Sequence, residues 1–508
     1  GDCWTTNYES TLIIHQEASD ALFVAGNFEH LKNVIDEQLT HANCFDDKLQ
    51  AYYCLVRFLY STSNSNQEME ITRFILGELG VTFPEPTPDL IYQELLSTKS
   101  LIANLSQQDF IKAPRLTDKR MQWTFRFLHN CLKLRFAVDA SLLPLVACRM
   151  ISMSLEYGYS CESTAGFAAY AWAMLIILHD IEEAYKWSKM CLLFPGIFNS
   201  PTLLPKMTFF FHTFVSFLKE PIQASCDVLR KTRQDLVMIG DVQEAFVAMF
   251  NHCRQMFFAG TDLVTVDNHC TRTTLEMTKY THVHQCLYNL SHHLIILKLI
   301  GNDSIKNPFE AFKGVSNEEI RNEDDLLQHA VSTGESGVVQ AIRFNRLFLA
   351  YWFKRYEEAA EMAALYKTRA NMPLIDIYHA FYEGLTAFHF ARELSKDDPK
   401  KWFQLGGESL SCFKTWAMHS TWNWSNKLLL LEAEYYFSIG EMEKAEEKYY
   451  LALKSARKHR FVHEEGLTNE LFSVFHASNG NTNEAIYHIS QARVCYERWG
   501  AFAIVDRV

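Results

Sequence analysis

Leu431-Glu432-Ala433-Glu434-Tyr435-Tyr436-Phe437-Ser438-Ile439-Gly440-Glu441-Met442-Glu443-Lys444-Ala445 is answered forty residues later by Leu471-Phe472-Ser473-Val474-Phe475-His476-Ala477-Ser478-Asn479-Gly480-Asn481-Thr482-Asn483-Glu484-Ala485. The step sets Leu431 on Leu471, Gly440 on Gly480, Ala445 on Ala485 and, further along, Ala452 on Ala492. From Leu428 to Gly500 each copy reads as an apolar helix, a tight turn and a second helix. The glycine gives the turn a backbone free of Cβ clashes, and the alanine lets the second helix approach the first. Two helices in a unit of this length point to a helical solenoid, whose units hide their apolar faces by stacking on one another.

The offset from turn to packing alanine recurs upstream. His179-Asp180 leads to Ala184, Lys219-Glu220 to Ala224, Gly240-Asp241 to Ala245, and Lys354-Arg355 to Ala359. Gly26-Asn27-Phe28-Glu29-His30-Leu31 has the same form with leucine at the packing position. The spacing is irregular between Ala224 and Ala245, but each anchor follows an apolar helical pattern, such as Phe210, Phe214, Phe217 and Leu218. The fold expected is therefore all-α: a TPR-like superhelix of helical hairpins in units of about forty residues. Ser200-Pro201, Asn307-Pro308 and Asp398-Pro399 each place a capping side chain before a proline suited to a first helical turn. Ser316 and Glu319 have capping-box spacing. The polar stretch 301–325 is expected to be a boundary or long loop between an N-terminal part of the superhelix, 1–300, and C-terminal repeats, 326–508. Val81 to Asp89, with Pro84, Pro86 and Pro88, reads as a second loop, and strand signals are nearly absent.

Composition narrows the function classes. The 508 residues are 48% hydrophobic and 21% charged, with 12 prolines and 20 glycines, a globular mixture with little room for disordered linkers. A net charge of −12 argues against nucleic acid or an anionic membrane as the main partner, since both need clustered Lys and Arg. The 13 cysteines are scattered and never form C-x-x-C, which suits reduced thiols in a cytoplasmic protein. The longest apolar run, Ala165 to Leu178, is short for a bilayer and reads as a buried helix packed closely through Ala168, Ala169, Ala171 and Ala173. No secretory signal opens the chain. The absence of an initiator Met and of any tail after Val508 suggests a segment of a longer protein.

Common catalytic signatures are missing: there is no phosphate-cradling G-x-x-x-x-G-K-[ST], no kinase H-R-D or D-F-G, no G-x-S-x-G and no H-E-x-x-H. The densest set of metal-ligand types is His282, His284, Cys286, His292 and His293. On a helix His282 and Cys286 share a face while His284 points elsewhere, so a core helix with satisfied histidines outweighs a metal site. Trp416, Trp422 and Trp424 with Phe413 are candidates for a ligand or partner surface, against the plainer reading of inter-helix packing. The acidic run Glu432, Glu434, Glu441, Glu443, Glu446 and Glu447 reads as a solvated helix face before a partner face. His463-Glu464-Glu465 lacks the flanks of a phosphoacceptor histidine and is taken as structural.

Tyr449, Ala452, Ala456, Arg460-Phe461, His463-Glu464-Glu465-Gly466-Leu467 and Asn469-Glu470-Leu471, followed by Gln491-Ala492-Arg493, Tyr496 and Arg498-Trp499-Gly500-Ala501, resemble one large family. It comprises giant multidomain sensor kinases that run serine/threonine-kinase-like domain, AAA/STAND-type ATPase, helical repeats, GAF domain and histidine kinase. The resemblance is to the helical-repeat region and covers nearly the whole chain, with His15-Gln16, Gly26-Asn27-Phe28-Glu29, Leu79-Gly80-Val81, Thr117-Asp118 and Tyr157-Gly158 falling in order. Where the family tends to have proline-asparagine-phenylalanine, this chain has Ser420-Thr421-Trp422-Asn423-Trp424.

The resemblance implies a non-catalytic regulatory or sensor scaffold of a signal-transduction ATPase and histidine kinase. Such a scaffold binds a partner or inducer and restrains neighbouring domains. No catalytic residue and no cofactor is expected within these residues; ATP would belong to the parent's other domains. Expected partners are proteins or the neighbouring ATPase, GAF and kinase domains, with a small-molecule inducer also open. The alternatives are a free-standing TPR-like adaptor and, behind it, an all-helical enzyme using the His282–His293 cluster with a metal.

Overall fold

The computed structural model describes residues 3–25, 27–61, 65–137, 140–279, 283–301, 308–312, 320–366, 373–393 and 399–508. Among them every regular element is helical, and the single β-type pairing is an isolated bridge between Arg115 and Tyr159. The chain divides into two compact units, Gly1–Leu204 and Pro205–Val508. The polar stretch 301–325 lies within the second unit, and its residues 302–307 and 313–319 fall outside the described ones. Phe309 and Ile320 from this stretch join one apolar cluster with Leu287 and Leu290 before it and Leu326 and Ala330 after it.

Helices pack chiefly against their successors. In the first unit Ser163–Leu178 pairs with Ile181–Cys191, and in the second Ile222–Met238 pairs with Val242–Phe258 and Ser336–Trp352 with Tyr356–Leu365. Thr421–Ser438 with Met442–Lys458 and Val462–Ser478 with Thr482–Trp499 are the two quoted copies. One turn joins many of these hairpins. Gly440 and Gly480 both sit at φ +78°, and the following residue closes a six-residue loop, Glu441 N–H on Tyr436 O at 3.0 Å and Asn481 N–H on His476 O at 2.9 Å. This left-handed ending satisfies the last helical carbonyls. Gly240 repeats it, and His179 and Lys354 adopt it without glycine, at φ 53° and 60°.

The packing position is also recovered. Ala184, Ala245, Ala359, Ala445 and Ala485 are buried, each the fourth residue of its helix. Ala224 is a correction, because it is exposed and Ser225 is buried in its place. Pro221 is the N-cap of that helix, which begins at Ile222, and Lys219, at φ −131°, does not take the left-handed turn, so the inward register moves by one residue. Pro201 is a second correction: the helix opens two residues later, at Leu203. Pro308 and Pro399 do open helical segments, whereas Asn307, Asp398, Ser316 and Glu319 lie outside the described residues.

In Gly1–Leu204, Ser163–Leu178 is the buried helix its alanines predict. A Cβ on Gly166 would sit 2.7 Å from the Met150 Cβ, the mark of close helix approach. Beside it Phe110, Phe167, Trp187 and Phe194 form one aromatic cluster with ring centroids 4.9–6.1 Å apart. The proline-rich loop ends as Thr87 Oγ1 caps Pro88–Ile102 by accepting the Leu90 N–H at 3.3 Å.

Candidate functional site

In Pro205–Val508 the hairpins enclose their own helices. Val462–Ser478 is buried on almost every side, His463, Glu464, Glu465, Asn469 and Glu470 included. Here Gly260 lies so close to His463 that a Cβ would be 2.8 Å from Nδ1, and Gly301 abuts Ala503 equally tightly. Asn423 holds an earlier part of the unit: its Nδ2 donates to the carbonyls of Phe217 and Glu220, each at 2.7 Å, and its Oδ1 accepts the Ile222 N–H at 3.1 Å. Trp422 Nε1 donates to Gln223 Oε1 at 3.1 Å, and Gln223 Nε2 donates to His459 O at 3.1 Å. The Ser420–Trp424 stretch is the start of a helix capped by Ser420.

The buried charges are paired within this unit. Lys427 Nζ lies 2.8 Å from Glu464 Oε2 and donates to Asn423 O at 2.8 Å, with both side chains withdrawn from water. Phe461, Tyr378 and Trp424 surround the ammonium with ring centroids at 4.4, 5.1 and 5.3 Å. Burial works against ionising Glu464, but Lys427 and His463 outweigh it and hold the carboxyl at about 2. Glu470 takes Lys354 Nζ at 2.8 Å, Arg507 at 2.8 and 2.9 Å, and the Tyr496 hydroxyl at 2.6 Å. Burial again opposes its ionisation, and Lys354 and Arg507 bring it down to about 2. Glu434 is buried against Arg392 at 2.6 Å and the Tyr449 hydroxyl. That corrects the solvated reading of the acidic run at Glu434; Glu441, Glu443, Glu446 and Glu447 are exposed.

The candidate residues are scattered. His282 lies outside the described residues, as does the side chain of His284. Cys286 is buried in the apolar cluster, and desolvation lifts its thiol to about 12, the opposite of an activated ligand. His292 packs edge-on to Phe257 at 5.2 Å, and burial, with Arg254 adding to it, drops its pKa to about 3. His293 pairs instead with Asp267 at 2.5 Å. Trp424 is core, Trp422 lies on His459 at 4.6 Å, and Trp416 packs on Phe413 at 4.9 Å.

Two grooves open on the outer face of this unit. One of about 600 Å³ runs between Phe403, Leu410, Tyr435 and Ile439. The larger, about 880 Å³, lies between Met442–Lys458 and the following hairpin. Tyr450, Lys454, Arg457 and Lys458 line one side; Phe472, His476, Glu484, Tyr487 and His488 line the other. Tyr450 and Tyr487 are 64% and 55% exposed, amphipathic rings of the kind that anchor protein partners. His476, Glu484 and His488 belong to no recognisable motif; the i, i+4 spacing of Glu484 and His488 is their only signal in the sequence.

Among the described residues no helix is long and apolar enough to cross a membrane. No protein-family model matches the chain, and neither curated proteins nor solved structures give a significant match.

Proposed function

We propose that this chain is a non-catalytic helical-repeat scaffold of a signalling protein, engaging a protein partner through the groove beside the Val462–Trp499 hairpin. The observation carrying this reading is the recurring hairpin, with its left-handed turn and buried fourth residue, which builds a surface and leaves its polar groups tied to each other. The buried charges of Lys427, Glu464, Glu470, Lys354 and Arg507 are spent on internal pairs, the arrangement of a fixed framework and not of a reacting centre. The exposed tyrosines of the groove, set among Glu446, Glu447 and Glu484 on one hand and Lys454, Arg457 and Lys458 on the other, favour an extended segment carrying aromatic and mixed-charge side chains. A TPR-like superhelix rests on the forty-residue repeat of the sequence, and a parent of the ATPase and histidine-kinase class on the motif resemblance alone.

The purified 508-residue chain, incubated with Mg-ATP, should neither hydrolyse the nucleotide nor transfer phosphate to itself. Turnover that survives further purification refutes the scaffold reading.

A further inference from the structure

We propose that the Val462–Trp499 hairpin carries a divalent metal site of the zinc class, built from His476, Glu484 and His488 with a fourth position open to the groove. The inference stands independently of the scaffold reading. One ring nitrogen of each histidine and a Glu484 carboxylate oxygen all lie within 4.8 Å of one another. Ligands of one tetrahedral ion sit about 3.4 Å apart, so small side-chain rotations close the shell. The Gly480 turn makes the set possible: His476 ends one helix, while Glu484 and His488, one turn apart, share the facing side of the next.

Three observations separate this set from ordinary packing. His476 is only 3% exposed, yet its Nδ1 has no hydrogen-bond partner, which costs stability unless something fills the position. His488 is oriented as a metal-binding histidine would be. The Asn469 amide donates Nδ2–H to Glu465 O at 2.9 Å, which turns its Oδ1 to His488 Nδ1 at 2.9 Å. That oxygen accepts only, so the proton sits on Nδ1 and the lone pair on Nε2. Last, the trio is not a demand of the repeat: forty residues earlier the same positions hold Tyr436, Lys444 and Lys448, none of them fit for such a shell.

Two imidazoles and one carboxylate suit Zn²⁺ or Co²⁺ better than Mg²⁺ or Ca²⁺, and three protein ligands leave room for water or a partner's carboxylate. The test uses the whole chain, stripped of metal by chelator and titrated with Zn²⁺ and Co²⁺ alone. One Zn²⁺ should bind per chain and raise the melting temperature, and Co²⁺ should develop visible d–d bands without a thiolate charge-transfer band. Glu484→Gln, at an exposed position, should leave the melting temperature of the metal-free chain unchanged and weaken Zn²⁺ at least about tenfold. His488→Gln should do the same or worse. No stoichiometric binding overturns the proposal, as does binding that persists unchanged in Glu484→Gln, which is what the exposed Cys3, Cys44 or Cys412 would give.

Discussion

At the scale of single residues, the Lys427–Glu464 pair makes the sharpest demand. Removing one member leaves the other charged and dry among Phe461, Tyr378 and Trp424, so Lys427→Met or Glu464→Gln alone should cost about 3–5 kcal/mol. Lys427→Met combined with Glu464→Gln should cost less than the sum of the single changes, because no orphaned charge remains. Thermal melts of the four proteins check this, and additive losses would mean that the pair is not coupled. His292 supplies a pH test. Its pKa is depressed to about 3 by burial, against about 6.5 in an unfolded chain. Protons therefore prefer the unfolded state, so this contribution is full above about pH 6.5 and is lost as pH falls toward 3. His292→Phe should flatten that part of the stability profile, and an imidazole titrating near pH 6 by NMR would contradict the burial.

At the scale of elements, the glycines rank themselves. Gly480 has open space where a Cβ would go, so Gly480→Ala meets only the left-handed backbone and should cost about 1 kcal/mol. Gly466 lies mid-helix, where a Cβ would be 2.6 Å from the Tyr496 ring, so Gly466→Ala should push apart Val462–Ser478 and Thr482–Trp499 and cost several-fold more. Equal melting temperatures for the two variants would show that the hairpin is looser than described. Much of this element was legible. Gly440 and Gly480 announced the turn, and Ala445 and Ala485 the packing position, because both are set by local backbone geometry. Ala224 failed because Pro221 resets the start of its helix, a shift that fixed spacing from the turn cannot register.

For the second unit as a whole, the hidden part was what its helices meet. Nothing in Val462–Ser478 says that its polar residues are inside: His463, Glu464, Asn469 and Glu470 would suit a solvated face equally well. Their burial depends on partners far away in sequence, Lys354, Gly260, Lys427 and Arg507, which no helical period links to them. The metal-type trio was invisible for the same reason, since Asn469 and the burial of His476 are what distinguish it. Among its described residues the second unit is thus a set of paired helices that buries Val462–Ser478 on almost every side.

Amide hydrogen exchange tests that claim most directly. In an open array, hairpins near an end fray first and protection declines toward Val508. If Val462–Ser478 is enclosed, the amides of Gly466 to Phe475 should be among the slowest to exchange in Pro205–Val508, slower than those of the outward Met442–Lys458 helix. Exchange there as fast as in an exposed end helix would contradict the account.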